Sequence, residues 1–201
     1  YAEGSGNNKY LEIYNGDDHS VDLGLYSLSN CNGGCAVPWD YPNTLVFASG
    51  TMLSPGEVYV VCHSSADNFI QNECDESHSY LSNGNDAYGL TQLSTGGLLD
   101  IIGAIGDDPG EGWDVAGVPE ATKDHTLVRK QSVNSGNFGN WAESAGTNTD
   151  NSEWLVFDQN TWDNLGFHES GPVTGCMDDT AYNYNPDAVI DAVCIFVRYI
   201  F

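Results

Sequence analysis

Short apolar runs that end at Gly, Asn, Asp or Pro are the feature that most limits the folds open to this sequence. In the run Lys9–Tyr14, Leu11 and Ile13 would share one face of a strand, and the residues between them would share the other. The turn signal Asn15-Gly16 follows directly. No stretch has the apolar period of an amphipathic helix of ordinary length. The pattern therefore predicts an all-β fold.

Similar runs recur at regular intervals along most of the chain. Strands are predicted at 9–14, 21–29, 44–48, 58–62, 87–93, 98–105 and 125–130, and a short helix near 66–71. Segments 153–157 and 162–165, each with a Trp, close this region. Roughly seven short strands with turn signals between them are typical of a β-sandwich. A change of composition then predicts a linker at 169–174, between a sandwich at 1–168 and a small module at 175–194.

Charge excludes one class of partner. The chain has 5 Lys and Arg residues against 29 Asp and Glu residues, a formal net charge of −24. Nucleic acid is excluded because its binding needs a basic face. Lys123, Arg129 and Lys130 lie close together and predict a local patch of salt bridges. No apolar run approaches the roughly 20 residues that span a membrane.

The six cysteines fall into three local pairs. These pairs are Cys31/Cys35, Cys62/Cys74 and Cys176/Cys194. An even number of closely spaced cysteines in an acidic, Gly-rich chain predicts local disulfides and an extracellular, oxidising location. The sequence alone leaves the connectivity open. Zinc is the alternative, although the Cys31–Cys35 spacing differs from the usual two-residue gap of zinc sites.

The sequence predicts no catalytic residue and no enzyme. It contains no Gly-x-Ser-x-Gly elbow, no His-Glu-x-x-His motif and no phosphate-binding Gly-rich loop. The five His residues are scattered over turns and strand ends. Cys62 and His63 are adjacent on a strand, so their side chains would point to opposite faces.

Oxygen-rich loops make calcium the more serious candidate for a cofactor. The candidate ligands in the small module are Asp178, Asp179, Asn183, Asn185, Asp187 and Asp191. A second acidic loop holds Asp107, Asp108 and Glu111. Neither loop has the EF-hand spacing, and solvated acidic turns are the alternative interpretation.

Several motifs occur in the order of a known family. They are the run 3–15, Val21-Asp22-Leu23, Leu53-Ser54-Pro55-Gly56, the strand 126–130, and the closing segments 151–154 and 160–163. Residues 1–168 thus resemble the lamin-tail domain of secreted bacterial proteins. The resemblance implies an immunoglobulin-like β-sandwich.

The module at 175–194 is similar to a short Cys-bracketed repeat of surface and secreted proteins from aquatic Bacteroidetes. That family usually ends in Asp-Asp-Gly-Ser-Cys, whereas this chain has Asp191-Ala192-Val193-Cys194. The departure weakens the calcium prediction. The same bacteria O-glycosylate Ser or Thr between Asp and a small residue, so Asp179-Thr180-Ala181 makes Thr180 a candidate glycosylation site.

The last seven residues have the composition of a complete, free β-strand. Lamin-tail domains normally have an apolar strand before the segment that starts at Glu3. This chain starts at Tyr1, without Met or signal sequence, and is expected to be a processed or partial chain that lacks most of that strand. A missing strand and a spare strand favour donor-strand addition between copies. The predicted polymer contacts are Tyr1, Tyr10, Tyr14, Ile195, Phe196, Val197, Tyr199, Ile200 and Phe201.

The sequence therefore predicts a structural subunit of an extracellular bacterial filament or surface fibre, a homopolymer built head to tail. Ile195, Val197, Tyr199 and Phe201 are expected to face inward, because this choice keeps Arg198 out. A second hypothesis is a non-catalytic adhesion or substrate-targeting domain of a larger secreted protein, with glycans as possible partners of exposed Tyr residues. A secreted hydrolase is the third, since lamin-tail domains can accompany nucleases, but it lacks catalytic groups.

Overall fold

The computed structural model describes residues 1–35, 39–81, 83–169, 174–185, 188 and 190–196. The chain divides into two compact units. Unit 1 comprises Tyr1–Lys130 and Ser135–His168, and unit 2 comprises Gln131–Asn134 and Glu169–Phe201. No helix among the described residues combines the length and apolarity needed to cross a membrane.

The described residues form short strands and two short α-helices. The strands of unit 1 are β1 (Ala2–Glu3), β2 (Lys9–Tyr14), β3 (Val21–Asp22), β4 (Tyr26–Cys31), β5 (Tyr41–Val46), β6 (Met52–Leu53), β7 (Val58–Cys62), β8 (Glu76–Ser77), β9 (Ala87–Gln92), β10 (Leu98–Ile102), β11 (His125–Arg129) and β12 (Trp154–Asp158). Its helices are α1 (Asn68–Gln71), α2 (Trp141–Ala145) and a 3₁₀ helix (Leu23–Leu25). In unit 2, β13 (Thr174–Gly175) pairs in parallel with β14 (Ile190–Asp191).

Two large sheets and the two-stranded pair β3–β6 make up unit 1. One has six strands in the order β12-β11-β1-β2-β7-β8, and the other has four strands in the order β10-β9-β4-β5. All neighbours are antiparallel except β7 and β8. The prediction of an all-β, immunoglobulin-like fold is confirmed.

The main core forms from the alternating apolar positions that the sequence showed. Leu11 of β2, Val61 of β7 and Leu127 of β11 are buried in one cluster with Leu28 and Ile101 of the four-stranded sheet. Full burial of one such side chain contributes about 1.5–3 kcal/mol. This alternation fixes the register, because a slip by one residue would turn the apolar set outward.

The other face of the six-stranded sheet is also covered. Tyr10, Val60 and Ile70 belong to a second buried cluster, against which Trp162 and Leu165 pack. The predicted closing segment 162–165 is a turn that brings Trp162 to 5.8 Å from Tyr10, measured between ring centroids. Both faces of β2 are therefore buried near Tyr10.

The predicted strand at 21–29 is interrupted. It divides into β3, the 3₁₀ helix and β4. The cause is local, because the Asp22 carboxylate accepts the backbone N–H of Gly24 at 2.9 Å and so caps the 3₁₀ turn. β3 then pairs with β6 instead of extending the four-stranded sheet.

A salt bridge joins the two sheets. Arg129 of β11 donates to the Asp100 carboxylate of β10 at 3.0 Å and lies 3.6 Å from the Glu153 carboxylate. Its guanidinium also lies 4.2 Å from the ring centre of Trp154. Lys123 pairs with Glu111. These cations thus have acidic partners within unit 1.

Three disulfides join the cysteines in their local pairs: Cys31–Cys35, Cys62–Cys74 and Cys176–Cys194. Cys62–Cys74 ties the end of β7 to the segment after α1, across 12 residues. Replacing both of these cysteines by Ser is expected to lower the free energy of unfolding by about 2–4 kcal/mol, because the unfolded chain gains freedom. Urea denaturation would measure the loss. Equal stability of the two proteins would contradict the expectation.

Candidate functional site

β1 has two residues, whereas its neighbours β2 and β11 have six and five. Ala2 pairs with Tyr10 of β2 on one side and with Thr126 of β11 on the other. Beyond this point both neighbours continue, β2 to Tyr14 and β11 to Arg129. Residues 12–14 of β2 lie on one side of the strand position that precedes Tyr1, and residues 128–130 lie on the other side. We call this position the β1 slot.

Backbone groups point into the β1 slot. Tyr1 and Leu127 exchange two backbone hydrogen bonds of 3.1 and 2.8 Å, so the backbone N–H and C=O of Leu127 point toward β1. Because this direction alternates along a strand, the backbone groups of Arg129 point toward the slot. On β2, residues 9 and 15 bond toward β7, which turns the N–H and C=O groups of Glu12 and Tyr14 toward the slot. Within the described ranges no strand pairs with these residues from the slot side. Among the described residues, the slot is thus about three residues long.

The side chains that flank the β1 slot are mixed: Ile13, Tyr14 and Val128 are apolar or aromatic, and Glu12, Arg129 and Lys130 are charged. Ile13 packs on the main core next to the slot, and Tyr1 is buried at its end. On the outer face Val128 is half-buried, and its neighbour on β12, Leu155, is 43% exposed. An extended segment with apolar side chains on both faces would fit these surroundings.

One carboxyl lies beside the slot. Glu12 is half-buried, and its Oε1 accepts the backbone N–H of Gly166 at 2.7 Å. Burial raises the pKa of Glu12, and this effect outweighs the opposing effects of the Tyr1 amine and the Gly166 hydrogen bond. The surroundings of Glu12 on the outer side of the slot therefore favour its neutral, protonated form.

Replacing Glu12 by Gln tests this electrostatic description. The folded state binds the Glu12 proton more tightly than the unfolded chain, so stability should fall as the pH rises from the unfolded pKa of about 4.3 through the higher folded pKa. Glu12→Gln should therefore be more stable than the wild type at neutral pH and equal to it at acidic pH. Urea denaturation at both pH values would measure the difference. Parallel pH profiles would contradict the assignment.

The predicted contact residues of the N-terminal region lie in different surroundings. Tyr1 and Tyr10 are buried in unit 1, so neither side chain offers a surface to another copy. Tyr14 is half-buried, with its ring centre 4.6 Å from that of His168. Sequence reasoning placed Tyr10 and Tyr14 on one face correctly but missed the turn that covers this face. What Tyr14 presents to the slot is its backbone.

Only the beginning of the predicted donor strand is described. The backbone of Ile195 is held within unit 2, since its C=O accepts from Tyr182 at 2.8 Å and its N–H donates to Asn183 at 2.6 Å. The side chains of Ile195 and Phe196 are 54% and 53% exposed. The remaining predicted contacts, Val197, Tyr199, Ile200 and Phe201, lie outside the described residues.

The candidate calcium ligands of unit 2 hold their own loops together. Asp178 accepts both the backbone N–H and the hydroxyl of Thr180, which lowers the pKa of Asp178. The side chain of Asn183 bonds to the backbone of Val193 and Ile195. The Asp191 carboxylate accepts from Met177 at 3.2 Å. Asp179 is exposed, Asn185 donates its backbone N–H to Cys176, and Asp187 lies outside the described residues.

The described side chains of unit 2 form no acidic cluster of the kind that the calcium prediction needs. Among the described His, Cys, Asp and Glu side chains, only Asp17, Asp18 and His19 come close enough together to share an ion, and all three are exposed. This group was not predicted. Thr180, the candidate glycosylation site, is exposed, and its hydroxyl donates to Asp178 at 2.7 Å.

A cleft of about 580 Å³ lies beside β7 in unit 1. Its walls include Met52, Tyr59, Phe167 and His168. Met52 and Phe167 are 56% and 48% exposed. Glu57 and Asp75 also line it, so the cleft combines apolar and aromatic side chains with acidic ones.

The comparison with known families agrees with this architecture. The sequence model of the Lamin Tail Domain matches residues 1–106, a span that runs from β1 past β10. Strands β11 and β12 lie beyond the match but complete the same six-stranded sheet. No curated protein and no solved structure matches the chain.

Proposed function

Because the chain belongs to the Lamin Tail Domain family, we propose that it is a non-catalytic structural subunit of an extracellular bacterial filament or surface fibre. Segment 195–201 of one copy adds to the six-stranded sheet of the next copy by entering the β1 slot. The family is an immunoglobulin-like, typically non-enzymatic one, and the three disulfides agree with an oxidising location.

The observation that carries this proposal is the β1 slot. It offers strand-pairing groups on both sides, from β2 and from β11, so an added strand would gain two ladders of hydrogen bonds. Segment 195–201 supplies alternating large apolar residues and a single charge. Ile195, at the start of this segment, is fixed to unit 2 by both its backbone groups. Unit 2 would therefore present the segment from a defined base.

The same reasoning predicts an open polymer. Each copy carries one slot and one donor segment, which are different surfaces, so the contact is heterologous. A heterologous contact that does not close into a ring gives a fibre.

Electron microscopy of two chains tests the proposal. The full chain and a chain that ends at Cys194 would be compared by negative stain at the same concentration. We expect filaments from the full chain alone, which separate into single chains after boiling in detergent, because strand addition forms no covalent bond. Monomers from the full chain, or filaments from both chains, would overturn the proposal.

Two substitutions refine the test within the donor segment. Val197→Asp would place a charge on the face expected to point inward and should abolish filaments. Arg198→Ser changes the opposite face and serves as the matched control, which should still assemble. The reverse result would show that the other face of the segment enters the slot.

The aromatic cleft beside β7 favours a second function, that of an adhesion or substrate-targeting domain. Exposed rings such as Phe167 bind the apolar faces of sugars and of protein partners. Binding of the monomer to glycans, lost on Phe167→Ala, would support this function. It becomes the better explanation if the full chain stays monomeric.

A further inference from the structure

A buried amine lies at the start of β2. The side chain of Lys9 is only 7% exposed, and that of its ion-pair partner Glu3 is 9% exposed. Nζ of Lys9 lies 3.1 Å from Oε1 of Glu3 and 2.7 Å from Oδ1 of Asn83. The amine thus contacts a carboxylate and a carboxamide at once.

The fold brings these three side chains together from separate segments. Glu3 and Lys9 are directly opposite each other in the pairing of β1 with β2. Glu3 is further held because its Oε2 accepts the backbone N–H of Asp124 at 2.6 Å. Asn83 comes from the loop before β9, 74 residues from Lys9 along the chain.

The loop around Asn83 is fixed in place. The carboxyl group of Asp86 accepts backbone N–H groups from Asn83 and from Gly33. Gly84 is buried with a φ of +100°, and a Cβ at this position would overlap Lys123. The backbone N–H of Asn83 and the tightly packed Gly84 after it therefore hold the Asn83 carboxamide against Nζ.

We propose that Lys9 and Asn83 join in an intramolecular isopeptide bond, with Glu3 as the group that moves the proton. This bond would be a covalent link between the six-stranded sheet and the loop that leads into the four-stranded sheet. The proposal does not depend on filament assembly.

The reaction balances without any added reagent. The Glu3 carboxylate takes a proton from the Lys9 ammonium, and the neutral Nζ attacks Cγ of Asn83. The bond between Cγ and Nδ2 breaks, and Nδ2 leaves as ammonia with the proton that Glu3 returns. Nζ gives its second proton to Glu3 as the amide forms, and this proton leaves with the ammonia as ammonium. One amide replaces another, and nothing is oxidised or reduced. Asn83 is exposed to solvent, which gives the ammonia a path out.

Position and burial together favour this chemistry over a simple ion pair. A carbonyl carbon lies about 1.23 Å from its oxygen, so Nζ is within about 4 Å of Cγ. The side chains of Lys9 and Glu3 are both buried, so Nζ is shielded from most of the surrounding water. Well-oriented groups react at effective concentrations of about 10⁵–10⁸ M, which compensates for the low reactivity of an amide.

Mass spectrometry of the reduced, denatured full chain is the first test. We expect a mass about 17 Da below the sequence mass, the loss of one ammonia. Asn83 precedes Gly84, and a succinimide at this Asn-Gly pair would give the same loss without any link to Lys9. Peptide mapping must therefore accompany the intact mass.

A Glu-specific protease separates the two cases. Cleavage after Glu3, Glu12, Glu76 and Glu111 releases the peptides 4–12 and 77–111, neither of which contains Cys. The proposal requires one branched peptide that contains both. Two separate peptides, or an intact mass equal to the sequence mass, would overturn it.

Three variants assign the roles. Lys9→Arg keeps the charge beside Glu3 but removes the nucleophilic amine, so it should show the full sequence mass and no branched peptide. Asn83→Ala should do the same. Glu3→Gln should retain both reacting groups but leave most of the chain unlinked. A fully linked Glu3→Gln chain would overturn the role of Glu3, and the wild-type mass decides the bond itself even if a variant fails to fold.

Discussion

Trp154→Ala is expected to lower the free energy of unfolding by about 3–5 kcal/mol. Trp154 begins β12 and is 5% exposed within the main core. Its ring centre lies 6.1 Å from that of Trp141 in a tilted arrangement. Truncation to Ala would leave a large cavity where these two rings now pack, and the sheet can close over it only in part.

Polar contacts add to the loss. The indole N–H of Trp154 donates to the hydroxyl of Ser144 at 3.0 Å, and the Arg129 guanidinium lies over the ring. Arg129 also reaches Asp100 on the opposite sheet. Removing the ring would therefore loosen the contact that positions Arg129 between the two sheets, next to the β1 slot.

Urea denaturation of three variants measures this effect. Trp154→Phe keeps an aromatic ring but loses the hydrogen bond to Ser144, so it should be less destabilising than Trp154→Ala. Phe138→Ala is the matched control for an aromatic truncation, because Phe138 is 70% exposed and should change stability by about 0.5 kcal/mol or less. A similar loss for Phe138→Ala and Trp154→Ala would contradict the location of the core.

Local patterns were sufficient to predict the strands that form the core. The alternation in 9–14, the apolar run 58–62 and the hairpin around 94–97 appear in the structure as β2, β7 and the pair β9–β10. In these segments propensity, side-chain period and turn chemistry agree. The family match then supports the immunoglobulin-like arrangement of the strands.

Contacts between distant segments were beyond the reach of these patterns. The outer cover of Tyr10 comes from Trp162, and no periodicity connects the two positions. Nothing in the sequence indicates that Lys9 is buried, because its partners Glu3 and Asn83 reach it only in the folded sheet and loop. The family resemblance predicted an open strand position before Glu3, and this stays a prediction. The sequence could not indicate that β11 lies next to β1, because this pairing joins segments as far apart as Glu3 and Asp124, which are 121 residues apart.

The β1 slot allows one more prediction with a large effect. A chain that carries a second copy of segment 195–201 directly before Tyr1 would continue β1 into its own slot. We expect this chain to form no filaments, because its slot is filled, and to unfold at a higher temperature. A large apolar side chain that becomes fully buried contributes about 1.5–3 kcal/mol, and each kcal/mol raises Tm by about 2–4 °C in a domain of this size.

The register of the added segment can be set by one residue. Tyr1 packs on the main core and Ala2 on the outer cluster, so side chains alternate across this sheet position. Direct fusion would point the copy of Ile200 inward, whereas a single Gly before Tyr1 would point the copy of Phe201 inward. The inward set predicted from the sequence includes Phe201, so the chain with the Gly should have the higher Tm.

The pair of fused chains separates two explanations of filament loss. A segment that only blocks assembly by its bulk would lower Tm or leave it unchanged in both registers. A segment that fills the slot must raise Tm in one register more than in the other, because only one face fits between Ile13 and the core. A fusion of the same length with only Gly and Ser should assemble like the wild type, since it offers no apolar side chains to the slot. Continued assembly of both 195–201 fusions, with no rise in Tm, would show that the donor segment does not enter the β1 slot.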